Sequence, residues 1–137
     1  MKDGYEVVAE GPSIDDYRRL REVAGLSPKS AEAAAAGLPN TRFAVVVKHD
    51  GRVVGMGRVI GDGGLFFQVV DIAVEPAHQG QGLGKAIVGR LVEHLKATAP
   101  AGAYVSLIAD GEAHRLYAQF GFQPTAPASI GMAFVIR

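Results

Sequence analysis

The stretch "HQGQGLGKA", residues 78–86, places glycines at three alternate positions, Gly80, Gly82 and Gly84, directly before a lysine. It stands between the largely apolar run "LFFQVVDIAV" and a segment whose apolar residues have helical spacing. Glycine-rich loops that lead from a strand into a helix commonly bind phosphate groups, because backbone N–H groups and the helix N-terminus face the ligand there. The stretch therefore predicts a strand–loop–helix unit that binds a phosphorylated molecule.

Two familiar nucleotide-binding motifs do not fit this loop. A Walker A loop requires Gly-x-x-x-x-Gly-Lys-Ser/Thr. In this chain Gln79 replaces the first glycine of that motif, and Ala86 replaces its Ser/Thr. A dinucleotide fingerprint, Gly-x-Gly-x-x-Gly, that starts at Gly80 requires its third glycine where Lys85 stands, and the register two residues later fails in the same way. The phosphorylated ligand is therefore expected to be of another kind.

The segments that flank the loop alternate between strand-like and helical patterns. Upstream, three strand-like runs are joined by His49-Asp50-Gly51 and Asp62-Gly63-Gly64, and such turns predict an antiparallel meander. Downstream, an amphipathic helix follows the loop, because Ile87, Val88, Leu91, Val92 and Leu95 share one face. The remaining runs read as a strand, a short helix and a last strand: "AYVSLIA", "GEAHRLYAQF" and "SIGMAFVIR".

The N-terminal part adds one strand and two helices. "YEVVAEG" reads as a strand, Ser13 and Asp16 form a capping arrangement for a first helix, and a second helix is expected from about Pro28 to Gly37. The predicted order is β-α-α-β-β-β-α-β-α-β, an α/β fold whose mixed, largely antiparallel central sheet is flanked by helices. We expect one domain over residues 1–137.

The composition excludes several kinds of function. The chain is 48% apolar and 20% charged with a net charge of +0, which gives no support to nucleic-acid binding. It contains no cysteine, so disulfides, thiolate metal sites and cysteine nucleophiles are ruled out. No two of its four histidines have metal-ligand spacing, so we expect no metal. Without a signal peptide or an apolar run of about 18 residues, we expect a cytoplasmic protein without membrane contact.

The loop matches the pattern Gln/Arg-x-x-Gly-x-Gly/Ala from Gln79 to Gly84, and "DIAVEP" precedes it. Downstream, "ADGEAHRLYAQFGF" holds Leu116-Tyr117 and Gly121-Phe122 at fixed separations. In these features the chain resembles the GNAT superfamily of acyl-CoA N-acyltransferases. It looks closest to the plant-type and bacterial arylalkylamine (serotonin) N-acetyltransferases, because Asp110 stands seven residues before Tyr117.

The resemblance implies that the loop holds the pyrophosphate of acetyl-CoA, a cosubstrate, while the pantetheine arm lies along the preceding strand. It assigns binding of the coenzyme to the strand residues Ile72, Ala73 and Val74, to the loop and helix residues Gln79, Gly80, Gln81, Gly82, Leu83, Gly84 and Lys85, and to Tyr117. A backbone N–H around Ala73 is expected to polarise the thioester carbonyl.

Three residues are candidates for the chemistry of acetyl transfer. Tyr117 matches the family's general acid, and a phenol can protonate a departing thiolate. Asp110 either orients or deprotonates the amine, or caps a helix. Asp71, an ionisable residue in an apolar run, either acts on the substrate side or makes a structural hydrogen bond. Other members of the family have a Glu or His that acts as the general base on this strand. Gln68 and Val70 stand at those positions here, so no residue of the strand is assigned as the base.

The sequence therefore predicts an acetyl-CoA-dependent N-acetyltransferase that acts on a primary amine of a small molecule, an arylalkylamine or a polyamine. The absence of cysteine leaves direct attack in a ternary complex as the route. Arg58 and Asp62 are expected to face the acceptor groove. Two alternatives stay open, a protein or peptide N-acetyltransferase and an acyl-CoA-binding sensor or assembly domain with little turnover. A homodimer is possible.

Overall fold

The structure, a computed structural model, describes residues 4–137. It divides into two compact units, one ending at Leu107 and one running from Ile108 to Arg137. The elements of the first unit are β1 (Tyr5–Val8), α1 (Ile14–Val23), α2 (Ala31–Gly37), β2 (Phe43–His49), β3 (Arg52–Gly61), β4 (Phe66–Val74), α3 (Leu83–Thr98) and β5 (Tyr104–Ser106). The second unit contains α4 (His114–Ala118), which follows a 3₁₀ turn over Gly111–Ala113.

The five strands form one sheet in the order β1-β2-β3-β4-β5. The first three pairings are antiparallel, and β5 joins β4 in parallel after the crossover through α3. The turn between β2 and β3 has positive φ at both Asp50 (51°) and Gly51 (79°), as a type I′ hairpin turn requires. The predicted α/β class and the antiparallel meander are confirmed.

The two N-terminal helices begin at serine caps. The Ser13 hydroxyl accepts the N–H of Asp16 at 3.1 Å, as the sequence predicts. The Ser30 hydroxyl accepts the N–H of Ala33 at 3.0 Å, so α2 begins after Ser30 and not near Pro28. A capping hydrogen bond fixes where a helix begins more tightly than a proline that is merely compatible with its first turn.

The helices cover both faces of the sheet. On one face α1 packs through Tyr17 and Leu20 on Met56 and Ala73. On the other face α3 lies so close to β3 that a Cβ on Gly57 would be 2.5 Å from Ile87 Cγ2. A methyl group at residue 57 would force the side chains of Ile87 and Ile72 to shift, so glycine allows α3 to pack this closely on β3. This close approach fixes the position of α3, and with it the loop that begins the helix.

The last predicted strand is wrong. Residues 129–137, "SIGMAFVIR", form no strand, and Met132 and Phe134 are both 87% exposed. The predicted strand "AYVSLIA" is shortened to Tyr104–Ser106. Alternating apolar residues favour a strand only where a neighbouring strand supplies hydrogen bonds, and a sequence pattern does not supply that neighbour.

Among the residues that the structure describes, no helix is both long and apolar enough to cross a membrane.

Candidate active site

Strand β4 is paired unequally on its two sides. Its pairing with β3 runs from Phe67 to Val74, whereas its pairing with β5 covers only Phe66 to Gln68. The N–H of Glu75 donates to Val54 on the β3 side at 2.8 Å, and the carbonyl of Val74 accepts Gln79 Nε2 at 3.1 Å. Because backbone groups alternate along a strand, those of Val74 and Ile72 point away from β3, into the gap beside β4. The first unit thus holds an open strand edge next to the glycine loop.

The glycine loop adopts a backbone that few side chains tolerate. Gly80 has a φ of 79° and Gly82 a φ of 81°, and nothing lies within 4 Å of a Cβ placed on either. Gly82 is the N-cap of α3 and has no side chain to cap it, so the first N–H groups of the helix are free to bind an anion. The loop therefore offers backbone donors at the positive end of a 16-residue helix.

Side chains of the loop differ in what they can do. Leu83 is buried in the core, so only its backbone is available to a ligand, while Lys85 is exposed at the first turn of α3. Gln81 Oε1 is buried and has no hydrogen-bond partner among the described residues. A buried acceptor without a partner is costly, and a bound molecule that donates a hydrogen bond would relieve it.

A β-bulge interrupts the pairing of β3 and β4. Arg58 pairs with Val70 and Met56 with Ala73, so Asp71 and Ile72 together oppose Gly57. Asp71 has a φ of 60°, a left-handed conformation that aspartate tolerates better than most residues. Simple alternation would place Asp71 on the face opposite Gln68. The bulge instead turns the carboxylate to the face that α1 covers.

The Asp71 carboxylate is surrounded by donors. Its Oδ1 accepts the hydroxyl of Tyr17 at 3.0 Å and Nη1 of Arg21 at 2.6 Å, and its Oδ2 accepts Nη1 of Arg58 at 2.7 Å. Burial first, and then the Asp71 carboxylate, raise the pKa of Tyr17, so this hydroxyl stays a donor. These contacts favour the structural interpretation of Asp71. Tyr17 and Arg21 could not be predicted as partners of Asp71, because they stand 54 and 50 positions from it and no local pattern links residues so far apart.

A second buried carboxylate stands where β4 meets the loop. Glu75 accepts hydrogen bonds from Arg19 on α1 and from Nη2 of Arg52 on β3, the latter at 2.8 Å. Burial alone would raise its pKa, but the two arginines hold the pKa of Glu75 below its usual value. The ion pairs tie the start of the loop to α1 and β3.

In the second unit, the negative charge of Asp110 acts on the phenol of Tyr117. Tyr117, on α4, is 9% exposed, and burial followed by the charge of Asp110 raises the pKa of its phenol. Asp110 stands at the N-cap of the 3₁₀ turn but makes no side-chain capping hydrogen bond. The predicted capping role is therefore not performed, and the exposed carboxylate is free to contact another molecule. A phenol with a raised pKa stays protonated near neutral pH, as a proton donor requires.

The other polar candidates have structural partners. Asp62 Oδ1 accepts hydrogen bonds from the backbone N–H groups of Gly64, Leu65 and Phe66. These bonds lower the pKa of Asp62, so its charge stabilises the turn between β3 and β4.

Within residues 4–137 no group of three or more His, Asp or Glu side chains is arranged to hold a metal ion.

Comparisons with known proteins agree with this geometry. The family model for the acetyltransferase (GNAT) domain matches residues 40–124. A chloroplastic serotonin N-acetyltransferase of Oryza sativa subsp. japonica is similar at 38% identity over 84 residues, 61% of this chain and 41% of the relative. A histone acetyltransferase of Glycine max is 32% identical over 92% of this chain and 59% of the relative. The chain thus spans only 41% and 59% of the length of these two curated relatives.

Among solved structures, a probable acetyltransferase of unknown function from meticillin-resistant Staphylococcus aureus is similar along nearly its whole length. It is 48% identical, with a TM-score of 0.92, and the match covers 96% of this chain and 99% of that one. The family match and this likeness include the glycine loop, the bulged strand and the tyrosine-bearing helix.

Proposed function

Because the chain belongs to the acetyltransferase (GNAT) family, we propose that it transfers the acetyl group of acetyl-CoA to a primary amine of a small molecule. The observation that carries the proposal is the open edge of β4 beside a glycine loop that caps α3. In this family the pantetheine arm occupies such an edge, and the pyrophosphate occupies such a loop.

The residues of the loop and strand fit the coenzyme. The backbone N–H groups that begin α3 and the exposed Lys85 supply positive charge for a pyrophosphate. The backbone groups of Ile72 and Val74 face the gap and suit the amides of a pantetheine arm. Because the groups of Ala73 point to β3, we assign the polarisation of the thioester carbonyl to the amide of Ile72 or Val74 and not to that of Ala73.

The chemistry is direct attack of a neutral amine on the thioester. Tyr117 donates its phenolic proton to the thiolate of CoA as the amide forms, and its raised pKa keeps that proton available. Asp71 is engaged with two arginines and holds the bulge in position. The exposed carboxylate of Asp110 is then the candidate that orients the amine or accepts its proton, directly or through water.

The acceptor is proposed to be a small amine. The similarity to a serotonin N-acetyltransferase supports an arylalkylamine, whereas the similarity to a histone acetyltransferase supports the alternative of a protein or peptide acceptor. Polyamines are less suited, because Arg21 and Arg58 lie on the face of the sheet that α1 covers and would repel a polycation. A cytoplasmic location, a single domain and a homodimer stay predictions.

A product assay tests the proposal. The protein is incubated with acetyl-CoA and a panel of aryl, amino-acid, amino-sugar, polyamine and peptide amines, and the acetylated products are identified by mass spectrometry. We expect at least one small amine to gain an acetyl group. Tight CoA binding without any product would support the alternative, an acyl-CoA sensor, and products from peptides alone would replace the small-molecule acceptor.

A further inference from the structure

A cavity of about 190 Å³ lies between α1, α2 and β3. Its polar wall consists of Tyr17, Lys29 and Arg58, and the remaining lining residues are the small or apolar Ala33, Ala34, Gly37 and Leu38. Its volume is below the range of about 300–1,000 Å³ that holds a whole small ligand. The cavity therefore suits one substituent of a larger molecule.

The wall of this cavity carries positive charge. None of its seven lining residues is acidic. Behind the wall, Arg21 and Arg58 share the single carboxylate of Asp71, which leaves one positive charge uncompensated. Lys29 is exposed at the rim of the cavity and adds a second positive charge. A cavity with this charge attracts an anion.

Arg58 has donors left for such an anion. The residue is only 8% exposed and packs with its guanidinium carbon 5.7 Å from the centre of the Tyr17 ring. Nε donates to the Thr41 hydroxyl and Nη1 to Asp71, which leaves Nη2 without an assigned partner among the described residues. An anion in the cavity would accept a charge-assisted hydrogen bond from this Nη2.

The cavity is also connected to the proposed reaction centre. Arg58 pairs with Val70 in the sheet and contacts Asp71 in the bulge at 2.7 Å. The amides of Ile72 and Val74, proposed above to polarise the thioester, follow directly along the strand. Arg58 thus contacts the same short stretch of β4 that carries the proposed reaction centre.

From these observations we propose that the cavity binds a carboxylate or phosphate group of the acceptor, with Arg58 and Lys29 as specificity-determining residues. The inference rests on the proposed acetyltransferase function, and it names the acceptor class as an amine that also bears an anionic group. Arg58 supplies fixed, planar donors and Lys29 a mobile charge at the rim.

Matched pairs of amines test this inference. Tryptophan is compared with tryptamine for the carboxylate, and glucosamine 6-phosphate with glucosamine for the phosphate, each as kcat/KM with acetyl-CoA. We expect the anionic member of at least one pair to be preferred by roughly 10- to 100-fold, as a charge-assisted hydrogen bond implies. The pair that shows the preference identifies the source of the anion.

Variants assign the preference to the cavity. Lys29→Gln is expected to reduce the preference several-fold without loss of folding, because Lys29 is exposed, and Arg58→Lys is expected to reduce it further. Lys96→Met, on the exposed side of α3, removes a charge elsewhere and is expected to leave the preference unchanged. Equal kcat/KM within both pairs, or a preference that Lys29→Gln and Arg58→Lys leave intact, would overturn the inference.

A binding measurement separates this inference from the proposed function. Inorganic phosphate is titrated into the protein and the Tm is followed, with sodium chloride at equal ionic strength as the reference. We expect phosphate to raise the Tm of the wild type and of Lys96→Met more than that of Lys29→Gln. If no amine is acetylated but this difference is present, only the transferase function fails. If the difference is absent and neither pair shows a preference, the cavity is not an anion site.

Discussion

Arg58 donates from Nη1 to Oδ2 of Asp71 over 2.7 Å, across the bulge at which β3 and β4 lose their register. Arg21 holds the other carboxylate oxygen, so one buried charge joins α1 to two strands. The bulge therefore has a side-chain network of its own that maintains its shape.

The first prediction concerns the charge in this network. Asp71→Asn is expected to lower the free energy of unfolding by about 3 kcal/mol, because it leaves the buried charges of Arg21 and Arg58 uncompensated. Asparagine tolerates the left-handed backbone of residue 71 as well as aspartate does, so the variant isolates charge from conformation. Urea denaturation measures the loss, with the exposed Asp15→Asn as the control. A loss below about 0.5 kcal/mol, the range of ordinary surface substitutions, would contradict the role of the network.

The second prediction separates ligand binding from backbone strain in the glycine loop. Gly82 and Gly25 have φ values of 81° and 83°, and neither has an atom within 4 Å of an added Cβ. Alanine at either position is therefore expected to cost a similar stability, about 1–2 kcal/mol. Only Gly82→Ala should also weaken acetyl-CoA binding, by tenfold or more, because its methyl group stands where backbone N–H groups approach the pyrophosphate.

Calorimetric titration of acetyl-CoA into both variants and the wild type makes this comparison. If Gly25→Ala and Gly82→Ala lose affinity equally, the loss comes from strain and the loop is not the binding site.

The third prediction is a pH dependence at Glu75. Its pKa is lower in the folded protein than its ordinary value of 4.5, so the stability it contributes is fully present above pH 4.5 and is lost as the pH falls through its folded-state pKa. Glu75→Gln is expected to lower the free energy of unfolding by about 1–2 kcal/mol at pH 7. The difference from the wild type should shrink as the pH falls below 4.5.

Denaturation curves between pH 3 and pH 7 measure this effect, and the exposed Glu93→Gln on α3 serves as the control. A difference for Glu75→Gln that stays constant, or grows, as the pH falls would show that its charge is not held by Arg19 and Arg52.

Local sequence signals predicted most of the sheet and the position of the loop. The cap at Ser13, the turn at Asp50-Gly51 and the glycines that begin α3 each depend on neighbouring residues, and the sequence shows them directly. The prediction of the last strand was wrong because a strand depends on a partner that local sequence does not show. Residues 129–137 have the alternation of a strand but no neighbouring strand in their unit.

The candidate site likewise combines features that local sequence patterns predict with features that they do not predict. The loop and Tyr117 are recognisable from short patterns, and the structure places the loop beside an open strand edge. The network of Tyr17, Arg21 and Arg58 around Asp71 is not recognisable, because it joins distant positions through a bulge at a non-glycine residue. From the sequence alone, Asp71 therefore stayed undecided between a role on the substrate side and a structural hydrogen bond.

Acetyl transfer with Tyr117 as the proton donor requires amine-dependent release of the CoA thiol. The rate is followed for the wild type and for Tyr117→Phe, with acetyl-CoA affinity measured in parallel. We expect Tyr117→Phe to lower kcat by about 10²- to 10⁴-fold while leaving that affinity within about twofold. A wild type without amine-dependent thiol release, or a Tyr117→Phe variant with undiminished kcat, would contradict this mechanism.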